Sequence, residues 1–305
     1  MLDGGWQPLP FHEFIVKVHS RCDLSCDYCY MYEMADRSWR TKPRAMSAET
    51  AELTARRIAE HARSHALDRI TLILHGGEPL LAGRDLIMRL VRNTRHAAGP
   101  GVTVDVSIQT NAVGLSDTYL RLFDELGIRV GVSVDGDAAA HDRHRRFASG
   151  RGSYAAVTAS LDRLRHYPHL YSGLLATIDL RNDPVRTYGA LADLGPPRID
   201  FLLPHGTWAQ PPPGRVPDPA LTPYADWLTA IFDHWYPRPR VRVRRSRARS
   251  SGAQMLAAAV RGSRAPRRRT QHRRRASPRR RSRRAAAGRP NWPRRGARSR
   301  PPAVA

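Results

Sequence analysis

Cysteine is almost missing from this 305-residue sequence: there are three, Cys22, Cys26 and Cys29, and they fall within eight residues of one another. An odd number at such tight spacing excludes a disulfide-stapled scaffold. Long apolar runs are missing too. No stretch of 18 apolar residues occurs, and no secretory h-region opens the chain, so neither a membrane span nor export is expected. Reduced thiols point to the cytoplasm. Acidic residues stop at Asp233, and from Arg245 onward there are 21 arginines and no Asp, Glu or Lys. The formal charge of +24 is therefore concentrated at one end: up to residue 244 the chain carries 30 basic against 27 acidic side chains, a net of +3.

That end reads as a separate segment. Residues 245–305 are dominated by Arg, Ala, Pro, Ser and Gly, with no apolar periodicity outside Met255 to Val260. Such a composition cannot bury enough apolar surface to offset its ordering entropy, so a disordered tail is expected after a 1–244 core domain. Two readings compete for it. A polycationic arm would bind RNA or DNA through phosphates, without sequence specificity. Alternatively, Arg, Ala, Pro and Gly are what GC-rich codons encode out of frame, and the abrupt change after Arg244 fits a frameshifted end.

What is present in residues 1–244 is a regular alternation. Short β-type runs stand at 14–18, 70–74, 102–108, 129–134, 173–180 and 199–203. Helical patterns follow each one. The first has Ser47 as N-cap and a stripe of Leu53, Ile58, Ala59 and Ala62. Later ones run from Arg84 to Ala97, from the cap Ser116 to Gly127, from Ser153 to Arg165 and from Val185 to Leu194, and the last is capped by Thr222 with Pro223 at its first position. Six βα units predict a parallel sheet with right-handed crossovers, an α/β partial (β/α)6 TIM-like barrel. The loops leaving its strands then share one end of the sheet.

Every distinctive polar motif lies on those loops. Three thiolates at C-x3-C-x2-C spacing suit a metal or cluster that takes three protein ligands and keeps one position open. Structural zinc usually has four Cys or His ligands, and the fourth here would have to be a histidine such as His19 or His12. After the second strand comes His75-Gly76-Gly77-Glu78-Pro79, after the third Gln109-Thr110-Asn111-Ala112, and the fourth ends in Ser133-Val134-Asp135-Gly136.

These four motifs, in this order across residues 11 to about 240, resemble the radical S-adenosylmethionine (SAM) enzymes. The resemblance is nearest to the SPASM-type peptide maturases, which include the anaerobic sulfatase-maturating enzymes. The stretches SRCDLSCDYCYMYE, HGGEPLL, TIDLRNDP and DFLLPHGTW resemble the FxsB-type, cyclophane-forming maturases.

The resemblance implies a 4Fe-4S cluster held by Cys22, Cys26 and Cys29, with SAM on the fourth iron. It implies that Gly76, Gly77, Glu78 and Pro79 bind the SAM amine. Tyr28 would pack near the adenine, and Ser133 and Asp135 would contact the ribose or carboxylate. Arg145 would pair with the carboxylate, and Asn111 matches the Thr-Asn motif, in which Ala112 replaces the usual glycine with little expected effect. A solvated charge run is the plainer reading of Arg143, Arg145 and Arg146. His205 and Trp208 are candidates for the substrate side, and Lys17 is assigned no role. The implied partners are a ribosomal precursor peptide and a reducing donor such as a flavodoxin or ferredoxin. No cysteine follows Cys29, so the auxiliary clusters of a SPASM region are expected to be lost. Two alternatives stand beside this reading: an RNA-modifying enzyme guided by the basic tail, and an inactive pseudoenzyme.

Overall fold

The computed structural model describes residues 9–237, apart from 217 and 219. The 245–305 tail and the proposed boundary at 244 lie outside the described residues. Six parallel strands pair in chain order: β1 (Glu13–His19), β2 (Arg69–Gly76), β3 (Thr103–Thr110), β4 (Ile128–Ser133), β5 (Tyr171–Thr177) and β6 (Ile199–Leu202). A neighbour-to-neighbour parallel order is what successive right-handed βα units produce. The helices are α1 (Ala48–Ser64), α2 (Arg84–Ala98), α3 (Asp117–Leu126), α4 (Ala138–His144), α5 (Tyr154–Leu164), α6 (Pro184–Asp193) and α7 (Pro223–Trp235).

Strand residues alternate between two environments. Ile70, Leu72 and Leu74 of β2, Val104, Val106 and Ile108 of β3, and Val130 and Val132 of β4 are buried in the core with the helices. Their neighbours Thr71, Ile73, His75, Asp105, Ser107, Gln109 and Ser133 are only half-buried. A period of two of this kind gives the sheet one apolar face against the helices and one polar face lining a barrel interior.

Local signals explain most helix ends. Ser47 Oγ accepts from Thr50 N at 3.0 Å, as expected of a cap, and Gly127 closes α3 in the left-handed conformation at φ 59°. Two expectations need correction. Leu53 is exposed, and Ala51 and Ala55 take the inner face of α1, because small residues let it pack closely. Ser116 and Thr222 sit at helix starts but make no capping bond to the backbone. The short helix α4 was not expected. Asp137 caps it, accepting from Ala140 N at 2.9 Å, and it carries His141 inward and ends at Arg145.

Candidate functional site

The loops at the C-terminal ends of the strands enclose a cavity of about 340 Å³. Cys22, Cys26 and Cys29 line it, together with Tyr28, Gly76, Gly77, Glu78, Asn111, Ser133 and Arg145. All the cofactor-binding candidates read from the sequence except Pro79 and Asp135 thus meet at one place, joined by Tyr32, His75, Gln109 and Thr177.

The cysteine loop is fixed from three sides. Gly77 N donates to His19 O at 2.8 Å and Glu78 N to Arg21 O at 2.9 Å. A Cβ on Gly76 would lie 2.3 Å from His19 O, and one on Gly77 2.3 Å from Arg21 O. The close approach of the β2 loop to the root of the cysteine loop therefore leaves no room for a Cβ at either glycine. From β3, Asn111 Nδ2 reaches Asp23 Oδ1 at 2.7 Å and Cys22 Sγ at 3.7 Å. From the segment after α4, Arg146 O accepts from Ser25 N at 2.7 Å. His144 Nδ1 meets Asp27 Oδ1 at 2.6 Å, and its Nε2 lies 3.1 Å from Asp179.

Two buried carboxylates organise the walls. Glu78 Oε1 accepts from Leu80 N and Thr110 Oγ1, and Oε2 from Asn111 N, at 2.7–3.0 Å. Burial pushes its pKa up to about 7 against these bonds. Asp135 accepts from Tyr28 Oη, Arg145 Nε and Thr177 N. Burial opposes its charge, but the Arg145 guanidinium and the hydrogen bonds outweigh that and hold its pKa low. Arg145 is the exception in its charge run: Arg143 bonds Asp179 and Arg146 bonds Asp142 O, while the Arg145 side chain is only 11% exposed, lies over the Tyr28 ring and bonds through Nε alone. Its two terminal nitrogens keep no partner among the described residues.

Several expected contacts are differently placed. Pro79 is buried at the start of a short 3-10 turn and does not line the cavity. Asp135 lies behind Tyr28 and Arg145 and positions them, so it does not line the cavity either. Tyr28 spends its hydroxyl on Asp135, leaving its ring to face the cavity. Ala112 takes φ 60°, a conformation that favours glycine, at a cost of about 1 kcal/mol. His205 lines the cavity beside the Tyr30 ring, whereas Trp208 is 95% exposed and away from it.

The donor set fits an iron–sulfur cluster. The three cysteines are free thiols facing one cavity, and burial pushes Cys22 up to about 12 and Cys26 up to about 11. Three thiols on one cavity are the ligand number of a cluster in which each thiolate binds a different iron and one iron stays open. Neither His12 nor His19, the histidines expected to complete a zinc site, lines the cavity. Leu24 N and Asn111 Nδ2 already point at Cys22 Sγ, and Tyr32 Oη is buried at the cavity without a partner. These are donors a thiolate–sulfide cluster accepts.

A family model described as the Radical SAM superfamily matches residues 16–175. The chain belongs to the radical SAM superfamily. Among curated proteins, it is 31% identical over 196 residues to the serine-type anaerobic sulfatase-maturating enzyme of Klebsiella aerogenes, covering 64% of this chain and 47% of that protein. It is 25% identical over 241 residues to the serine-type enzyme of Bacteroides thetaiotaomicron, covering 74% and 57%. The chain thus spans about half the length of the curated relatives it matches. A solved structure of native anSMEcpe with bound AdoMet and a peptide shares the fold at TM-score 0.63 and 20% identity, covering 74% of this chain and 60% of that one. Radical SAM membership brings AdoMet and an iron–sulfur cluster as the family's cofactors. No helix among the described residues is long and apolar enough to cross a membrane.

Proposed function

We propose that this chain is the SAM-cleaving core of a peptide-modifying enzyme. Cys22, Cys26 and Cys29 hold three irons of a 4Fe-4S cluster. When bound, the cluster and SAM supply a one-electron cleavage of the sulfonium that releases a 5′-deoxyadenosyl radical able to take an unactivated hydrogen. The chain's residues bind, orient and exclude water. Backbone carbonyls of the Gly76–Gly77 segment accept from the SAM amine, with Glu78 as the residue that fixes this segment rather than the amine's free partner. Arg145 offers its two unused nitrogens to the SAM carboxylate, a charge-assisted pairing made stronger by burial. Asp135 orients Arg145 and Tyr28, Ser133 contacts the ribose, and Asn111 steadies Cys22. A flavodoxin or ferredoxin delivers the electron.

The observation that carries this reading is the single cavity shared by three free thiols and a largely buried arginine with open donors. The peptide substrate rests on the sulfatase-maturating relatives and on the FxsB-like stretches. With those stretches, the reaction joins an aromatic ring carbon to a side-chain β-carbon in a Phe-x-Ser-like segment of a ribosomal precursor. One C–C bond forms and two C–H bonds break. One hydrogen leaves on 5′-deoxyadenosine and the other as a proton, with an electron passed to a one-electron acceptor. Incubating the reconstituted protein with the precursor encoded beside it should give a peptide lighter by two hydrogens. SAM cleavage with no change in peptide mass would sink the crosslinking claim.

A further inference from the structure

The cavity has two unlike ends. At the β4–β5 end, Arg145 and Asp135 form a closed ion pair. The opposite end, against β1 and β6, is apolar and open: Tyr30, Leu202 and Leu203 are each about half exposed there. One cation stands at this open end. Lys17 and His75 are paired neighbours across β1 and β2. Lys17 Nζ lies 3.0 Å from Met31 Sδ and 5.8 Å from the Tyr30 ring centre, both cavity-lining residues, and no carboxylate among the described residues lies within ion-pair distance. Of 51 basic residues in the sequence only Lys17 and Lys42 are lysine. A compact ammonium with three rotatable donors thus stands here in a chain that otherwise uses arginine. His75 Nδ1 lies 2.8 Å from Gly76 N and 3.1 Å from Gly76 O, and its Nε2 has no partner among the described residues.

Lys17 is exposed and stands outside the cavity lining, but its contacts Tyr30 and Met31 line it, so an occupant seated on them takes water from the ammonium, at a cost unless an anion meets it. The two carboxylates of the cavity walls are committed: Glu78 accepts three hydrogen bonds and Asp135 pairs with Arg145. Asp36 feels the Lys17 charge but is not within ion-pair distance, so an anion carried by the occupant would be the ammonium's direct partner. We infer that the β1–β2 side of the cavity mouth is a carboxylate subsite for the peptide substrate, held by Lys17 Nζ with His75 Nε2 beside it. This inference rests on the peptide-modifying reading above. The carboxylate is either the peptide's C-terminus or an acidic side chain, and the two share the same recognition.

The test is equilibrium binding to the reconstituted full chain by anaerobic calorimetry at low salt. Three probes are compared: N-acetyl-Phe-Ala-Ser as the free acid, the same tripeptide as carboxamide, and N-acetyl-Phe-Asp-Ser carboxamide. The free acid should bind about tenfold more tightly than its carboxamide, a charge-assisted hydrogen bond's worth. The ratio should fall to about one in Lys17→Met and to an intermediate value in His75→Phe. Because each ratio is taken within one protein, a general loss of folding cancels. If only the aspartate peptide gains Lys17-dependent affinity, the subsite stands and its ligand is the side chain. Equal binding of all three probes to the unaltered chain, or a ratio that survives Lys17→Met, overturns the inference. 5′-Deoxyadenosine measured in the same samples separates the two claims. Lys17-dependent binding without SAM cleavage keeps the subsite and removes the proposed function.

Discussion

Tyr32 shows how much a single side chain can say. Its hydroxyl is one of four buried polar side-chain atoms without a partner among the described residues, and the one that belongs to a cavity-lining residue. Burial and then the Cys22 and Cys29 sulfurs push its pKa far up, so it stays protonated and keeps a hydrogen to donate. An unsatisfied buried hydroxyl costs about 1–3 kcal/mol, and in a native protein it implies a partner yet to be bound. The proposed cluster supplies acceptor sulfurs there. Hydrogen bonds to cluster sulfurs favour the reduced, more negative state. Tyr32→Phe should therefore lower the cluster's midpoint potential, by roughly 40 mV for about 1 kcal/mol in a one-electron couple. A redox titration followed by electron paramagnetic resonance reads this, and an unchanged potential would mean that the hydroxyl faces something else. The same scale explains Arg145, whose neighbours Arg143 and Arg146 made a solvated run the plainer sequence reading. Burial and the bond to Asp135 set it apart, and neither is visible in a string of basic letters.

At the scale of elements, the loops after β2 and β4 carry opposed proton-binding groups. His141, on α4, accepts from Asp135 N at Nδ1. Ser153 gives its only hydrogen to Arg145 O, so the bond between His141 Nε2 and Ser153 Oγ must be donated by the ring. The ring is neutral, and burial first, then Arg145, lowers its pKa to about 4. Between pH 6.5 and 4 the unfolded chain takes up a proton that the folded one refuses, so His141 makes stability fall as pH falls. Glu78 acts the other way. With its pKa raised to about 7, the folded state binds a proton between pH 7 and 4.5 that the unfolded one releases, so its contribution grows as pH falls. Each contributes about 3 kcal/mol across its window, with opposite signs. Measured against the unaltered chain in urea melts, Glu78→Gln should lose stability from pH 7 to 4.5, and His141→Asn should gain it. Parallel curves for the two variants would contradict this pairing.

The strands were legible because β-branched and apolar residues alternate in short runs between turn signals, and six in-order βα units leave little topological choice. Helix α4 was not legible. Three alanines followed by His-Asp-Arg-His give no apolar stripe, and its one signal was Asp137 immediately before them, a capping residue. The site was legible as motifs but not as roles. Which carboxylate is saturated, as Glu78 and Asp135 are, depends mostly on partners 10 to 107 residues away, Leu80 beside Glu78 being the local exception.

For the molecule as a whole, the sequence carries two messages. Residues up to 244 are nearly neutral and hold every residue of the cavity, while most of the +24 charge comes from residues 245–305. An RNA-modifying role rests on that basic segment alone, outside the described residues. A truncated, inactive chain and a working core differ in one respect that can be measured directly. The full chain is reconstituted anaerobically with iron and sulfide, reduced, given SAM and assayed for 5′-deoxyadenosine beside Cys29→Ala. A working core binds about four irons, as a 4Fe-4S cluster requires, and forms 5′-deoxyadenosine well above the variant. Iron bound without product, or product equal in both proteins, contradicts a SAM-cleaving centre built on these three cysteines.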